Sequence, residues 1–572
     1  MRSSRSFFNA AVVRKDLTRF SPVWGLYSAG LCMLLMMLVM HGGQYSTAQV
    51  LPNTIPVLHF INLFYGLVCA MILFGDLYNS RNCYALHAMP LRREGWMLCH
   101  TVSGLLFSLV PNLVFSLILI PLTGAGWTVT LWWLLAASLS FLFFFGLAVC
   151  CAFCVGSRFA LLVVYGLCNG LALLLGWMVE TLYIPLLYGI AFDFDWILYF
   201  APIVAMLRND YVLVNYAGLP TDPSEFSIGY SDTVQAAGTA IPSVVPGGGW
   251  GYLTVCAVIG ILLLGVALLL YRRRKLECAG DFIVLRPLRP AFLLLFTLSA
   301  GIVCFLFFSI FIGQSGAWLF LVMGVIIGFF AGKMLLGRSL RVFGGKSWLQ
   351  LALICLLLAG SLGLTKLDPL GVTQYVPAAE QVDHVELTVR NSSIVLTQEE
   401  DIAQILQLHR EAIQAPASEA PGIQVELSYT MDSGRIFFRT YSISMDMDAA
   451  ALLTQFISRP AAIFSGLLKG RSLSDEALYD YLLEHTYQVE TLSKELWPGL
   501  LDAIFLDCKE GNMAQPWIFH QECDFAGTLH WTFPEDGQGA RTGLALDIFS
   551  CCQHTLAYLE SCGISIQDRY VD

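Results

Sequence analysis

The stretch YRRRK, Tyr271 to Lys275, closes an apolar run that begins near Tyr252, and the side of the membrane on which it lies decides how the chain is threaded. Lysine and arginine are retained on the cytoplasmic side of short loops between membrane helices, so the cluster marks the inner end of the span before it. A helix needs about 20 mostly apolar residues to cross the hydrocarbon core. Working outward, nine segments qualify, beginning near Pro22, Leu58, Met97, Leu131, Phe159, Tyr252, Phe292, Ala317 and Leu349. Leu182 to Leu207 is also apolar, but Pro185, Pro202, Asp193 and Asp195 interrupt it, and it reads as interfacial or re-entrant structure. A tenth span there would carry YRRRK outside, against the charge rule.

Of the 572 residues, 56% are hydrophobic and 13% charged, beyond the roughly 45–50% apolar content of soluble domains. Composition shifts near Lys366: 20 Lys+Arg face 12 Asp+Glu before it, and 12 face 30 from it onward. With the N-terminus inside, all the basic residues before Lys366 except Arg208 fall on the inner side. Nine spans then place the acidic, soluble part outside the cell. No long run of like charge suggests nucleic acid as a partner. The RSSR stretch before the first apolar run is followed by no convincing small-residue cleavage site, which favours an uncleaved first helix over a secretory signal. Five of the 17 cysteines (Cys508, Cys523, Cys551, Cys552, Cys562) lie in the soluble part, an odd number that excludes a complete disulfide framework within one chain.

Ser6 to Phe20 places Phe8, Val12 or Val13, Leu17 and Phe20 near one helical face, with Arg14, Lys15, Asp16 and Arg19 largely elsewhere, as suits a helix lying in the inner membrane interface. Between spans two and three, LHAMPLRREGW (Leu86 to Trp96) puts Pro90, Arg92, Arg93 and Glu94 in a short cytoplasmic turnaround. Proline stops or kinks a helix, and paired arginines suit carboxylates on a partner. This order of parts resembles the permease subunits of ABC-2 type transporters. The further stretch YRRRKLECAGDFIVLRPLRP (Tyr271 to Pro290), three more spans and a C-terminal domain resemble a Gram-positive, mainly clostridial group whose C-terminal domain is uncharacterised.

The resemblance implies a coupling helix over 84–94 that docks on a cytoplasmic ATPase subunit, with Tyr84, His87, Pro90, Arg92, Arg93 and Glu94 as its residues. It implies an interfacial helix over 1–21, a six-span core over 22–271 with an outer loop at 181–250 that caps the exit, and a cytoplasmic loop plus three spans over 272–365. The partners it implies are the ATPase, a second permease (a copy of this chain or a related one) and membrane lipid.

The chain carries no G-x-x-x-x-G-K-[ST] loop, the arrangement whose backbone amides and lysine cradle nucleotide phosphates; FGGKSW (Phe343 to Trp348) lacks the first glycine. No enzyme activity, catalytic residue, metal or cofactor site is therefore assigned to this chain, and ATP and Mg belong to the partner. Gly324, Gly328 and Gly332, four apart on span eight, form a bare ridge for close helix approach, either between two copies or against a neighbouring span. Ionisable residues are nearly absent from span interiors, unlike the relays of ion-driven transporters, which suits a lipid-like or amphipathic cargo.

CCAFC (Cys150, Cys151, Cys154) reads as packing. CCQHTLAYLESC, with Cys551, Cys552, His554 and Cys562, reads as helical core, with metal ligation or a bridge as the other reading. From 366 to 572 the pattern is α+β: VDHVELTVR and SIVLT as strands, QEEDIAQILQLHREAI as an amphipathic helix, and IQVELSYTM with RIFFRTYSIS as a hairpin turning at Asp432-Ser433-Gly434. Two subdomains split near Arg459 to Arg471 are consistent with this pattern. The fold class is a polytopic helical membrane protein with an α+β extracytoplasmic domain. Its function is read as the permease subunit of an ABC exporter for an amphipathic, lipid-like or peptide substrate, driven by a separate ATPase subunit, or alternatively as a membrane-anchored sensor of envelope stress or antimicrobial peptide that signals through an ATPase or another inner partner.

Overall fold

A computed structural model describes residues 8–41, 47–87, 92–123, 127–191, 195–215, 243–274, 278–389, 392–414, 422–444, 449–465, 474–486, 488–489, 493–513, 525–534 and 541–563. Among these, nine helices are long and apolar enough to cross a membrane. They are span one (Ser21–His41), two (Ile55–Leu73), three (Arg93–Thr123), four (Trp127–Cys154), five (Arg158–Met178), six (Trp250–Arg273), seven (Leu288–Ile312), eight (Gln314–Gly337) and nine (Gly345–Leu367). The chain is a multi-pass helical membrane protein. Each helix starts one to four residues before its apolar run. The Ser157 hydroxyl accepts from the Ala160 amide at 3.2 Å ahead of span five, and Glu94 sits in the positive first turn of span three.

Three short helices lie among the first spans: α1 (Ala10–Arg19), a seven-residue helix Thr47–Asn53, and α2 (Ser80–His87). Between spans five and six the chain forms a π turn (Val179–Tyr183), β1 (Ile190–Ala191), helix α3 (Pro202–Arg208) and the paired strands β2 (Val212–Asn215) and β3 (Ser243–Pro246). Among the described residues this region holds no tenth span.

The chain divides into two units. The first runs to Val179 and includes spans six, seven and eight; the second takes Glu180 to 191 and everything from Gly360. The first unit is organised around span four, where Trp133, Phe141, Phe144, Phe145 and Phe153 are fully buried. Glycines set how near its neighbours come. A Cβ on Gly66 of span two would lie 2.9 Å from the Phe145 nitrogen, and one on Gly146 would lie 2.5 Å from the Gly260 carbonyl oxygen of span six. Interhelical hydrogen bonds hold the same faces: Asn62 Nδ2 donates to the Ala137 carbonyl (3.0 Å) and Ser140 Oγ (2.7 Å), and the Tyr65 hydroxyl donates to the Phe107 carbonyl (2.9 Å).

The glycine ridge of span eight faces span seven of the same chain. Gly324 lies against Ala300, Gly301 and Cys304, Gly328 against Thr297 and Ala300, and Gly332 against Leu293 and Phe296. Of the two uses open to this ridge, packing against a neighbouring span is the one observed here.

The second unit contains a five-stranded antiparallel sheet ordered β1-β7-β6-β4-β5, with β4 (Val382–Val389), β5 (Ser392–Leu396), β6 (Ile423–Met431) and β7 (Ile436–Ile443). The β6–β7 hairpin turns at Gly434, whose φ of +74° suits glycine. Helix α4 (Glu399–Gln414) buries Ile402, Ile405, Leu406 and Leu408 as its periodicity dictates, and His409 with them. A second sheet, β10-β9-β8, joins β8 (Gln488–Val489), β9 (Phe525–Pro534) and β10 (Arg541–Phe549). Helices α5 (Ala449–Ile457), α6 (Asp475–His485), α7 (Trp497–Lys509) and α8 (Gln553–Ser561) complete the unit. Both sheets feed one continuous core that includes Val385, Leu427, Phe456, Leu500, Leu529 and Ile548, so the suggested split near Arg459 to Arg471 divides the sheets but not the core. Residues 180–191, within the predicted outer loop, belong to this unit, because β1 pairs with β7 (Ile190 with Arg439, Ala191 with Phe438).

Candidate functional site: the turnaround between spans two and three

Span two ends at Leu73 and continues into a 3-10 turn, Gly75–Tyr78. Asp76 in that turn accepts from Asn82 Nδ2 at 3.1 Å and stands 3.7 Å from Arg19 of α1. The Asn79 side chain accepts from the Arg81 amide at 3.1 Å and so starts α2. Along α2, Cys83 is buried and Tyr84 exposed. Arg92 is exposed immediately before span three, while Arg93 and Glu94 are half-buried in its first turn. Pro90 and the side chain of His87 lie outside the described residues.

Arg93 and Glu94 are engaged within the chain. Arg93 Nη1 donates to the Arg274 carbonyl at 3.2 Å, and Glu94 Oε1 lies 3.0 Å from Arg272 Nε. Arg274 is itself buried and donates to the Ala152 (3.1 Å) and Phe153 (3.3 Å) carbonyls at the end of span four, where a cation meets the negative pole of the helix. Trp96 packs 5.7 Å from Tyr271 of span six and 5.7 Å from Phe74. The loop after span six is bound to the same end of span four: the Gly156 amide donates to the Asp281 carbonyl (2.8 Å) and the Val284 amide to the Cys154 carbonyl (2.9 Å). Asp281 sits 3.5 Å from both Arg289 and Arg338. Among the described residues of the turnaround, Arg81 and Arg92 are the exposed cations, and Arg93 with Glu94 braces spans three and six.

Sequence reading placed Asp16 away from the packed face of α1, and the structure corrects this. Asp16 is buried with Val13, one helical turn away; its Oδ2 lies 2.7 Å from His100 Nδ1 and accepts from Ser103 Oγ at 2.9 Å, both on span three. A buried carboxylate needs such partners, and the i, i+3 relation to Val13 is the signal that marks its face. His59 on span two is also wholly buried, 4.9 Å from the Tyr211 ring; like Asp16 and His100, it is an ionisable group inside the bundle that sequence reasoning overlooked.

Other candidate features resolve separately. Gly345, Lys346 and Ser347 open span nine, where Ser347 Oγ accepts from Lys333 at 2.8 Å. Cys551 and Cys552 point at the Asn512 carbonyl (3.2 and 3.6 Å), and Cys523 lies outside the described residues. No family model, no curated protein and no solved structure matches this chain.

Proposed function

We propose that this chain is the permease subunit of an ABC-2 type exporter in a bacterial cell membrane, with its N-terminus inside and the α+β domain of 366–572 outside. Separate ATPase subunits, holding ATP and Mg, drive a pair of such permeases that move an amphipathic, lipid-like or peptide cargo outward. The observation that carries this reading is the construction of the turnaround. Tyr84 and Arg92 are exposed, while the adjoining Arg93 and Glu94 are tied to the end of span six by a 3.2 Å hydrogen bond and a 3.0 Å ion pair. Charge-assisted hydrogen bonds are short and geometrically specific, so a push on α2 reaches spans three and six together. Plain positive-inside anchoring requires cations but no such brace.

The test is mass spectrometry of what co-purifies with the chain from native membranes in mild detergent, repeated with Arg92→Glu. A Walker-motif ATPase recovered with the parent and lost with the variant supports the reading; a nucleotide-independent partner, or equal recovery with both, contradicts it.

One observation favours the second reading, an outer domain that senses a cationic peptide. A groove of about 1260 Å³ in the second unit is lined by Asp475, Glu476, Asp480, Asp502 and Glu510, which outnumber Arg459 and Lys509, with Phe505 and Tyr479 as apolar wall. Its charge complements a cationic amphipathic ligand, and the same ATPase could carry the signal inward.

A further inference from the structure

We propose that Asp507, Glu510 and His554 bind one divalent transition-metal ion of the zinc type. One ligand atom from each lies within 4.8 Å of the other two. Asp507 and Glu510 are three residues apart at the end of α7 and so share a face. The chain then turns at Gly511, with φ of +79°, and the return at α8 brings His554 back as its second residue.

Asp507 is the fixed member. It is wholly buried, and its Oδ2 accepts from the Thr555 amide (2.7 Å) and Thr555 hydroxyl (2.6 Å). Its Oδ1 has only long contacts, to the His554 amide (3.3 Å) and Asn512 Nδ2 (3.4 Å). A buried carboxylate oxygen with weak neutral donors retains coordinating capacity. His554 Nε2 lies 3.2 Å from Glu510 Oε1, and both of these side chains are about half exposed, at 42% and 52%. Glu510 Oε2 accepts from Asn512 Nδ2 at 3.1 Å, which leaves Oε1 and the imidazole to close on an ion at the roughly 2.0–2.2 Å that zinc requires of nitrogen and oxygen ligands.

The imidazole selects against calcium and magnesium, which take all-oxygen sets. Capping of α8 by Asp507 accounts for Oδ2, but not for the gathering of the His554 and Glu510 side chains beside the same carboxylate. A bound ion would join the end of α7 to the start of α8.

The test uses the full-length chain, chelator-treated in detergent and titrated with Co²⁺ as the visible stand-in, followed by displacement with Zn²⁺. The expected result is one equivalent with a visible ligand-field band and no sulfur-to-cobalt charge transfer. His554→Gln and Glu510→Gln are each expected to weaken binding by about 100-fold or more, beyond the roughly 10–100-fold cost of losing a group that only orients a ligand. His384→Gln, at an exposed His–Asp pair elsewhere (2.7 Å), should change nothing. Size exclusion confirms that these surface variants remain folded. Absence of Co²⁺ binding by the parent, equal affinity in His554→Gln and Glu510→Gln, or a charge-transfer band abolished by Cys551→Ser or Cys552→Ser would overturn the site.

Discussion

Arg93 donates from Nη1 to the main-chain oxygen of Arg274 at 3.2 Å, so the start of span three and the end of span six are held together by an arginine and a carbonyl 181 residues apart. This relationship divides the two adjacent arginines of the turnaround by role. Arg93→Ala is expected to lower detergent-state stability by about 1.5–3 kcal/mol, the range for a hydrogen bond that involves a charged group. Arg92→Glu, at an exposed position, should leave the melting temperature unchanged while abolishing ATPase recruitment. Thermal unfolding of both variants beside a pull-down separates the two effects.

The packing of spans seven and eight predicts a graded response to glycine substitution. Gly328→Leu drives a side chain into Ala300, and overpacking of this kind costs about 1–3 kcal/mol. Gly363→Leu, at a position with no neighbour within 4 Å, should be close to neutral. Paired melting curves check the contrast, and equal effects would remove the ridge from the account.

His409 supplies a pH dependence. It lies buried between the rings of Tyr429 and Tyr441; burial first, then Arg439 and Arg410, push it down to about 3. An unfolded histidine titrates near 6.5, so at neutral pH neither state carries the proton and stability is complete. On acidification the unfolded chain takes up a proton that the folded one refuses, and stability falls by up to about 1.4 kcal/mol per pH unit until the folded value is reached. Denaturant melts between those limits should show this slope, and His409→Gln should flatten it.

The strand from the exit of span five depends on Gly189. Its φ is +75°, its carbonyl accepts from the Thr440 amide at 3.1 Å, and a Cβ there would enter the Tyr441 ring. Gly189→Ala should release β1 from β7. Hydrogen exchange at the β7 amides reads this directly, with faster exchange of Thr440 the expected outcome.

Much of this was legible in the sequence, for identifiable reasons. Span positions follow from run length and hydropathy, and the β6–β7 hairpin from alternation around Asp432-Ser433-Gly434, because both signals are local. Asp16 was misplaced because its partners His100 and Ser103 lie on another helix, and a charged residue on an amphipathic helix reads as solvated until those partners are known. Arg272 and Arg274 read only as orientation signals, since nothing local ties them to Glu94 and Arg93. The joining of 180–191 to the second unit's sheet escaped for the same reason: a two-residue strand leaves no periodicity, and its partner strand lies far along the chain.

The most direct measurement places a photo-crosslinking amino acid at position 92 in the full-length chain and identifies the adduct formed in native membranes by mass spectrometry. The account predicts an adduct with a Walker-motif ATPase, which is lost when the probe sits instead at Leu262, a lipid-exposed position of span six. An adduct with lipid alone, or with a protein that carries no nucleotide-binding motif, would contradict it.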